Sequence, residues 1–283
     1  MKKLFFLVLF AGALALNNNA QEVIALGGYG YSQADSVNKG DYGFAEARLM
    51  FPLSESFRLG LYGGYVGYGN KVTGTSILKG QELKYGISLD SYGALSYSYS
   101  YYFWTNAGLK NTSDNYQESY YKSKTLTNEI FVSGGLSITD DWQGFFGHNQ
   151  LMFDYQRPIG LPKVTATWKG NAVTSAPYNK ESFRINLESG IKRFGKVLNV
   201  EPIIHLGYGR DFGREKSYYE LGGGLSFGVY KDWYREILKF SVFQRTDFNG
   251  DYNNINSQTS GGRLNIGVTF NASSAYQLLF NSK

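Results

Sequence analysis

The sequence contains one continuous apolar run, Leu4 to Leu16, and no comparable run after it. The rest of the chain consists of short segments in which aromatic or aliphatic residues alternate with Gly, Ser or charged residues. A membrane-spanning helix needs ~20 consecutive apolar residues, whereas a spanning strand needs only about 9 to 11 residues with every second side chain facing lipid. The pattern therefore favours strands whose two faces differ in polarity.

The N-terminal segment has the layout of a secretory signal peptide. Lys2 and Lys3 precede the apolar run, and Ala20 is a small residue after which cleavage is expected. The run is too short for an anchor helix, which is the alternative. We expect residues 1–20 to be removed, residues 21–272 to form one barrel domain and residues 273–283 to be a tail. A signal ending in Asn-Ala-Gln resembles those of Bacteroidota-type Gram-negative bacteria.

Composition argues against several other classes of protein. The chain has no cysteine, which excludes disulfides, thiolate metal sites and a lipidated cysteine. The formal net charge of +5 falls to +3 (5 − 2) without Lys2 and Lys3, and the basic residues are dispersed. Nucleic acid is therefore not an expected partner. A mean hydropathy of −0.31 is typical of a barrel in which half of each strand faces a polar interior.

Alternation with a period of two is visible along most of the chain. In residues 182–191 the apolar side chains occupy odd positions and the polar ones even positions, and in residues 263–270 the apolar side chains occupy even positions. In residues 95–103 Tyr, Leu and Phe take the odd positions, so we expect that face to contact lipid and the serines to lie inside.

The breaks between these segments predict the topology. Short turns are expected at residues 52–55, 89–91, 140–141, 194–196 and 230–232, and longer polar loops at residues 33–40, 69–79, 107–120, 157–180, 210–215 and 249–260. Short turns facing the periplasm and long loops facing outward are typical of outer-membrane barrels. We predict an all-β fold, a closed antiparallel transmembrane β-barrel of about twelve strands (range about 10 to 14), with both termini periplasmic. Residues 163–168 are expected to form an extra strand or a hairpin within the longest loop.

Aromatic residues beside the expected short turns predict an interfacial girdle. They are Phe51, Phe57, Tyr92, Trp142, Phe194, Tyr230 and Trp233. A soluble β-sandwich is the alternative, but it would have to cover every aromatic face with a second sheet.

The last alternating segment resembles the carboxy-terminal signal by which Gram-negative outer-membrane β-barrel proteins are recognised for assembly. The resemblance is carried by Asn265, Gly267 and Phe270, and it departs from the pattern at Ala272. It is a resemblance to the class, not to one family. It implies location in the outer membrane, contact with outer-membrane lipid and lipopolysaccharide, and the barrel-assembly machinery as a partner.

The polar parity of the strands predicts which charged side chains line the lumen. The lumen-lining candidates are Glu46, Arg48, Arg58, Lys84, Glu129, His148, Asp154, Arg184, Glu188, Glu201, His205, Glu220, Lys239, Arg245 and Arg263. Both signs are mixed, so these groups can pair with one another and narrow the pore, or line a path for small polar solutes. We expect a narrow channel, with a structural, adhesive or secretion- and assembly-partner barrel as the alternative.

A lipid hydrolase is the less favoured third class of function. Only His148 and His205 could act as a base, and neither has a Ser two residues away. Residues 247–253 begin like a calcium loop but lack its Gly and its bidentate Glu, so they predict a solvated loop. The sequence predicts no catalytic centre, no metal and no cofactor.

Overall fold

A computed structural model describes residues 22–33, 38–73, 76–140, 148–174, 181–190, 198–213, 216–230, 236–248 and 261–271. All regular elements within these ranges are strands. They are β1 (Glu22–Gln33), β2 (Asn38–Pro52), β3 (Phe57–Thr73), β4 (Ser76–Ala94), β5 (Tyr99–Glu118), β6 (Tyr121–Asp140), β7 (His148–Pro158), β8 (Lys163–Trp168), β9 (Asn171–Val173), β10 (Ser182–Gly190), β11 (Leu198–Asp211), β12 (Lys216–Tyr230), β13 (Glu236–Phe248) and β14 (Gly261–Asn271). The expected signal peptide and tail lie outside the described residues.

Twelve of these strands form a ring. Strands β1 to β7 pair in chain order, β7 pairs with β10, β10 to β14 pair in chain order, and β14 returns to β1. Every pairing is antiparallel. The predicted closed barrel of about twelve strands is therefore confirmed, and a closed ring leaves no strand edge exposed.

The remaining two strands form a hairpin inside the longest connection, between β7 and β10. β8 pairs with residues 121–126 of β6, whereas β7 pairs with residues 129–139 of the same strand. β9 pairs with β8 alone among the described strands. The hairpin thus continues the barrel wall above the point where β7 ends, which is one of the two predicted arrangements for residues 163–168.

Two expected loops are strand instead. Residues 69–79 and 107–120 lie almost entirely within β3 to β6, apart from the turn at 119–120 and residues 74–75, which lie outside the described residues. β4, β5 and β6 are 19, 20 and 20 residues long, about twice what a bilayer crossing needs. Polar composition did not end these strands, because both faces can be polar where the sheet extends beyond the hydrocarbon layer.

The expected short turns are partly corrected. The first, at 52–55, is found at residues 53–56, where the amides of Leu53 and Ser54 donate to Phe57 O. The second is not at 89–91 but at 95–98, where the amides of Leu95 and Ser96 donate to Tyr99 O at 2.7 and 3.2 Å. The segment 95–103 is consequently a turn followed by a strand. Residues 194–196 and 249–260 lie outside the described residues.

Candidate functional site

The outer face of the ring is apolar. On β3 and β4 the exposed large hydrophobic residues are Leu59, Leu61, Leu83, Tyr85 and Ile87, which all have odd numbers. On β11 to β13 they are Val200, Ile204, Leu206, Tyr219, Leu221, Leu225, Phe227, Leu238 and Phe240. An exposed apolar outer face on these strands of a closed sheet is stable in hydrocarbon and unfavourable in water.

The inner face is polar. Within the described residues the buried hydrophobic side chains are Met50, Tyr62, Phe131, Ala166 and Ile237, while the buried polar or charged set is larger and includes Arg48, Arg58, Asp90, Lys110, Glu129, Glu201 and His205. A soluble sandwich would show the reverse distribution, so that alternative is wrong for this chain. The described part of the chain contains no candidate membrane-spanning helix.

An ion pair lies inside the barrel at the end where the short turns are found. Arg58 on β3 binds Asp90 on β4 through two contacts of 2.7 Å, from Nε to Oδ1 and from Nη2 to Oδ2. Tyr102 on β5 donates to the same carboxylate at 3.3 Å, and Tyr92 stacks on the guanidinium at 5.0 Å. These contacts tie three adjacent strands together.

A second ion pair lies further along the lumen. Lys110 Nζ on β5 lies 2.6 Å from Glu129 Oε2 on β6, and Thr112 donates to the same carboxylate at 3.3 Å. Lys110 also donates to Gln156 on β7, which in turn donates to Ser182 Oγ on β10 at 2.8 Å. The chain of contacts therefore crosses from β5 to β10.

Large side chains fill the lumen in front of β3 to β6. The Tyr62 ring on β3 lies 5.8 Å from the Phe131 ring on β6, although two strands separate them in the wall. Lys84 Nζ lies 5.6 Å from the centre of the same Phe131 ring, and Tyr68 on β3 donates to Asp114 on β5. Such contacts between non-adjacent strands make this side of the lumen a packed side-chain plug.

The opposite wall, β11 and β12, carries small residues on the lumen parity. They are Gly207, Gly209, Gly222, Gly224, Ser226 and Gly228. Beside them His205 Nδ1 lies 3.4 Å from Glu188 Oε1 of β10, and the His205 side chain is 7 % exposed. The two sides of the lumen therefore differ: one is filled with large side chains, and the other presents backbone and a few charged groups.

The other lumen-lining candidates take the following places. Glu46 accepts a hydrogen bond from Tyr62 at 3.1 Å. Asp154 lies opposite Arg184 in the β7–β10 ladder, and Arg184 donates to Asn186 at 3.2 Å. Glu201 is buried opposite Ser226, and Lys239 on β13 is half-buried. Of His148, Glu220, Arg245 and Arg263 the structure describes the backbone alone, in β7, β12, β13 and β14. Asn265, Gly267 and Phe270 lie in β14, opposite Ser32, Gly30 and Gly27 of β1.

Sequence reasoning missed several central residues. Asp90 was assigned to a turn and Lys110 and Asp114 to a loop, although all three lie on the polar parity of long strands. Extending the alternation through residues 76–94 and 99–118 would have placed them in the lumen. The large side chains Met50, Tyr62 and Phe131 were missed because their side chains are not charged.

The predicted girdle is corrected in one position. Tyr92 packs on Arg58 on the inner face and is not part of an outer rim. The exposed residues near the described short turns are Phe51, Leu53, Leu95, Tyr97 and Tyr99, and Tyr97 is 89 % exposed. Trp142, Phe194 and Trp233 lie outside the described residues.

The position of His205 does not match an outer-wall hydrolase. His205 lies inside the barrel against Glu188, whereas a lipid hydrolase would need its base on the lipid-facing wall. No group of three His, Cys, Asp or Glu side chains placed to bind a metal ion occurs among the described residues.

The closed antiparallel ring, its apolar exterior and its charged interior define a transmembrane β-barrel. No family model matches the sequence, and no curated protein matches it.

Solved structures with similar architecture include the translocator domain of the autotransporter NalP from Neisseria meningitidis. It is 11 % identical, with 95 % of each chain covered and a TM-score of 0.47. The β domain of the Bordetella autotransporter BrkA is 12 % identical, with 89 % of this chain and 99 % of that chain covered and a TM-score of 0.43. A mutant of the monoaromatic hydrocarbon channel TodX is 9 % identical, with 92 % of each chain covered and a TM-score of 0.44. Similarity at this level says nothing about what this barrel carries.

Proposed function

We propose that this chain is an outer-membrane channel that passes small polar solutes along one side of its lumen. The observation that supports the proposal best is the contrast between the two inner walls. Side chains of β3 to β6 meet one another across the lumen, whereas residues 222–228 of β12 and 207–209 of β11 present glycine and serine on the lumen parity. A solute would therefore pass along the β11–β12 wall.

The size of the barrel supports a narrow passage. Eight-stranded barrels have interiors filled by side chains, and barrels of 16 strands or more leave an aqueous channel. A ring of twelve strands falls between these limits, so the number of bulky residues decides how much space is left. At the glycine positions of β11 and β12, no side chain of that wall fills the lumen. Glu188, His205 and Lys239 supply polar groups beside this part of the lumen.

Planar-bilayer recording of the refolded mature protein tests the proposal. We expect discrete conductance steps for the unmodified protein and a several-fold smaller step for Gly222→Trp, because the indole would occupy the lumen in front of β12. Gly223→Trp is the matched control. A Cβ at Gly223 would point to the outer face and would meet only Ile203 O within 4 Å, at 3.7 Å. The conductance of the Gly223→Trp variant should therefore be unchanged.

A well-folded protein that shows no conductance in any condition would refute the channel. Equal steps for Gly222→Trp and Gly223→Trp would refute the passage along β12 specifically.

An adhesive barrel is the second candidate, and one surface favours it. At the tips of the long strands Tyr120 is 63 % exposed and Trp168 is 49 % exposed, with ring centroids 6.4 Å apart, and Lys169 Nζ lies 5.4 Å from the Tyr120 ring. Exposed aromatic residues beside a cation suit contact with a partner. Under this alternative, Tyr120→Ser with Trp168→Ser would abolish adhesion of producing cells to a surface and leave the conductance unchanged.

A further inference from the structure

Arg48 differs from the other buried charged side chains of the lumen. It lies on β2 between Glu46 and Met50 and is 7 % exposed. Its Nε has no hydrogen-bond partner among the described residues. The ion pairs found within the described part of the chain do not include it.

Glu46, two residues away on β2, and Asp90, on β4, are both already engaged. Asp90 binds Arg58 through both of its oxygens and also accepts from Tyr102. Glu46 accepts from Tyr62 at 3.1 Å. Arg58, which is equally buried, thus has a matched carboxylate, and Arg48 has none among the residues that the structure describes.

Burying a charged group without an opposite charge is unfavourable, so a stable barrel needs another source of compensation at Arg48. Arg48 lies opposite Tyr62 in the ladder between β2 and β3. Tyr62 is therefore an immediate neighbour of Arg48 on the inner side of the wall, and both side chains are buried. The planar set of N–H donors of the guanidinium fits the two oxygens of a carboxylate or phosphate.

We propose that Arg48 is an anion-binding residue of the lumen and that the passage selects small solutes carrying a carboxylate or phosphate group. The selection of solutes rests on the proposed channel function, whereas the binding of an anion at Arg48 does not.

The first experiment measures ion selectivity in planar bilayers under a potassium chloride gradient. We expect Arg48→Gln to lower the chloride-to-potassium permeability ratio several-fold and Arg48→Lys to retain most of it. Added inorganic phosphate should reduce the chloride current of the unmodified protein at a concentration about tenfold lower than it does for Arg48→Gln. Arg157→Gln is the control, because that side chain is 62 % exposed outside the lumen, and its selectivity should be unchanged.

The second experiment does not depend on conduction. Thermal unfolding of the refolded protein in detergent is followed with and without inorganic phosphate at constant ionic strength. A ligand that binds the folded state raises the Tm, so phosphate should raise it for the unmodified protein and not for Arg48→Gln. Arg48→Gln should fold, because the substitution removes no described hydrogen bond or ion pair.

The two experiments separate the two claims. Suppose that the protein shows no conductance, and that phosphate raises the Tm of the unmodified protein but not of Arg48→Gln. That result would refute the channel and support the anion site. A conducting protein in which Arg48→Gln changes neither selectivity, phosphate block nor the phosphate-dependent Tm would refute the site and keep the channel.

Discussion

Lys110 and Glu129 are the most deeply buried ion pair among the described residues. Their side chains are 5 % and 1 % exposed, with 2.6 Å between Nζ and Oε2. Removing two charges from water is costly, and the cost is recovered only when both charges are paired and hydrogen-bonded. Thr112 and Gln156 supply the additional hydrogen bonds, so the pair stabilises the contact between β5, β6 and β7.

Glu129→Gln should therefore lower the free energy of unfolding by about 3 to 5 kcal/mol, because it leaves the Lys110 charge buried without its partner. The double variant Lys110→Met with Glu129→Leu should recover most of that loss. Chemical unfolding of the protein refolded into lipid vesicles measures both values.

Arg157→Gln is the matched surface control. Arg157 Nε lies 4.0 Å from Glu181 Oε2, and the arginine side chain is 62 % exposed. Loss of this pair should cost less than about 1 kcal/mol. A Glu129→Gln variant as mildly affected as this control would show that the buried pair is not stabilising.

At the scale of elements, the β4–β5 and β5–β6 ladders are the two longest of the barrel. Gly86 and Gly108 lie opposite each other in the β4–β5 ladder, and a Cβ at Gly108 would be 2.1 Å from Tyr85 O. A side chain at this position would push the strands apart. Glycine is therefore needed here for the close approach of two backbones.

Gly108→Ala should lower the free energy of unfolding by about 1 to 3 kcal/mol, the usual range for overpacking. Gly63→Ala is the control, because a Cβ there meets nothing within 4 Å. It should be neutral or stabilising by about 0.4 to 1 kcal/mol through the unfolded chain. Denaturant unfolding compares the two, and equal losses would contradict the close approach.

The sequence pattern predicted the kind and number of strands better than the positions of their ends. Alternation identified the barrel class and the approximate number of strands, because each face of a strand meets a different solvent. It misjudged where β4 to β6 end, since serine, asparagine and tyrosine in residues 107–120 occur equally well in loops and in strands that project into water. It also could not place the turn at 95–98, because Asp90 is a typical turn residue that here binds Arg58.

For the whole molecule, closure depends on the seam between β1 and β14. Tyr29 lies opposite Val268 in that ladder, and directly paired strand residues are close enough for a disulfide. Because the chain has no cysteine, a disulfide can form only between cysteines introduced at the seam.

Tyr29→Cys with Val268→Cys should form a disulfide on mild oxidation of the refolded protein, seen as a mobility shift that reductant reverses. Tyr29→Cys with Val242→Cys should not, since Val242 is on β13 and pairs with Ile266 of β14. A cross-link in both variants, or in neither, would argue against a seam in this register.

The sequence by itself determined that the chain forms alternating strands with an apolar and a polar face, since side-chain direction in a strand depends only on position. That is enough to predict a membrane barrel and to nominate charged side chains for its lining. The tertiary structure alone decided which interior side chains meet. Contacts such as Tyr62 with Phe131 and Lys110 with Gln156 join strands that are not neighbours in the wall. They depend on the curvature and register of the closed ring, which the local alternation does not contain. For the same reason only the closed barrel revealed Arg48 as a buried charge without a carboxylate among the described residues.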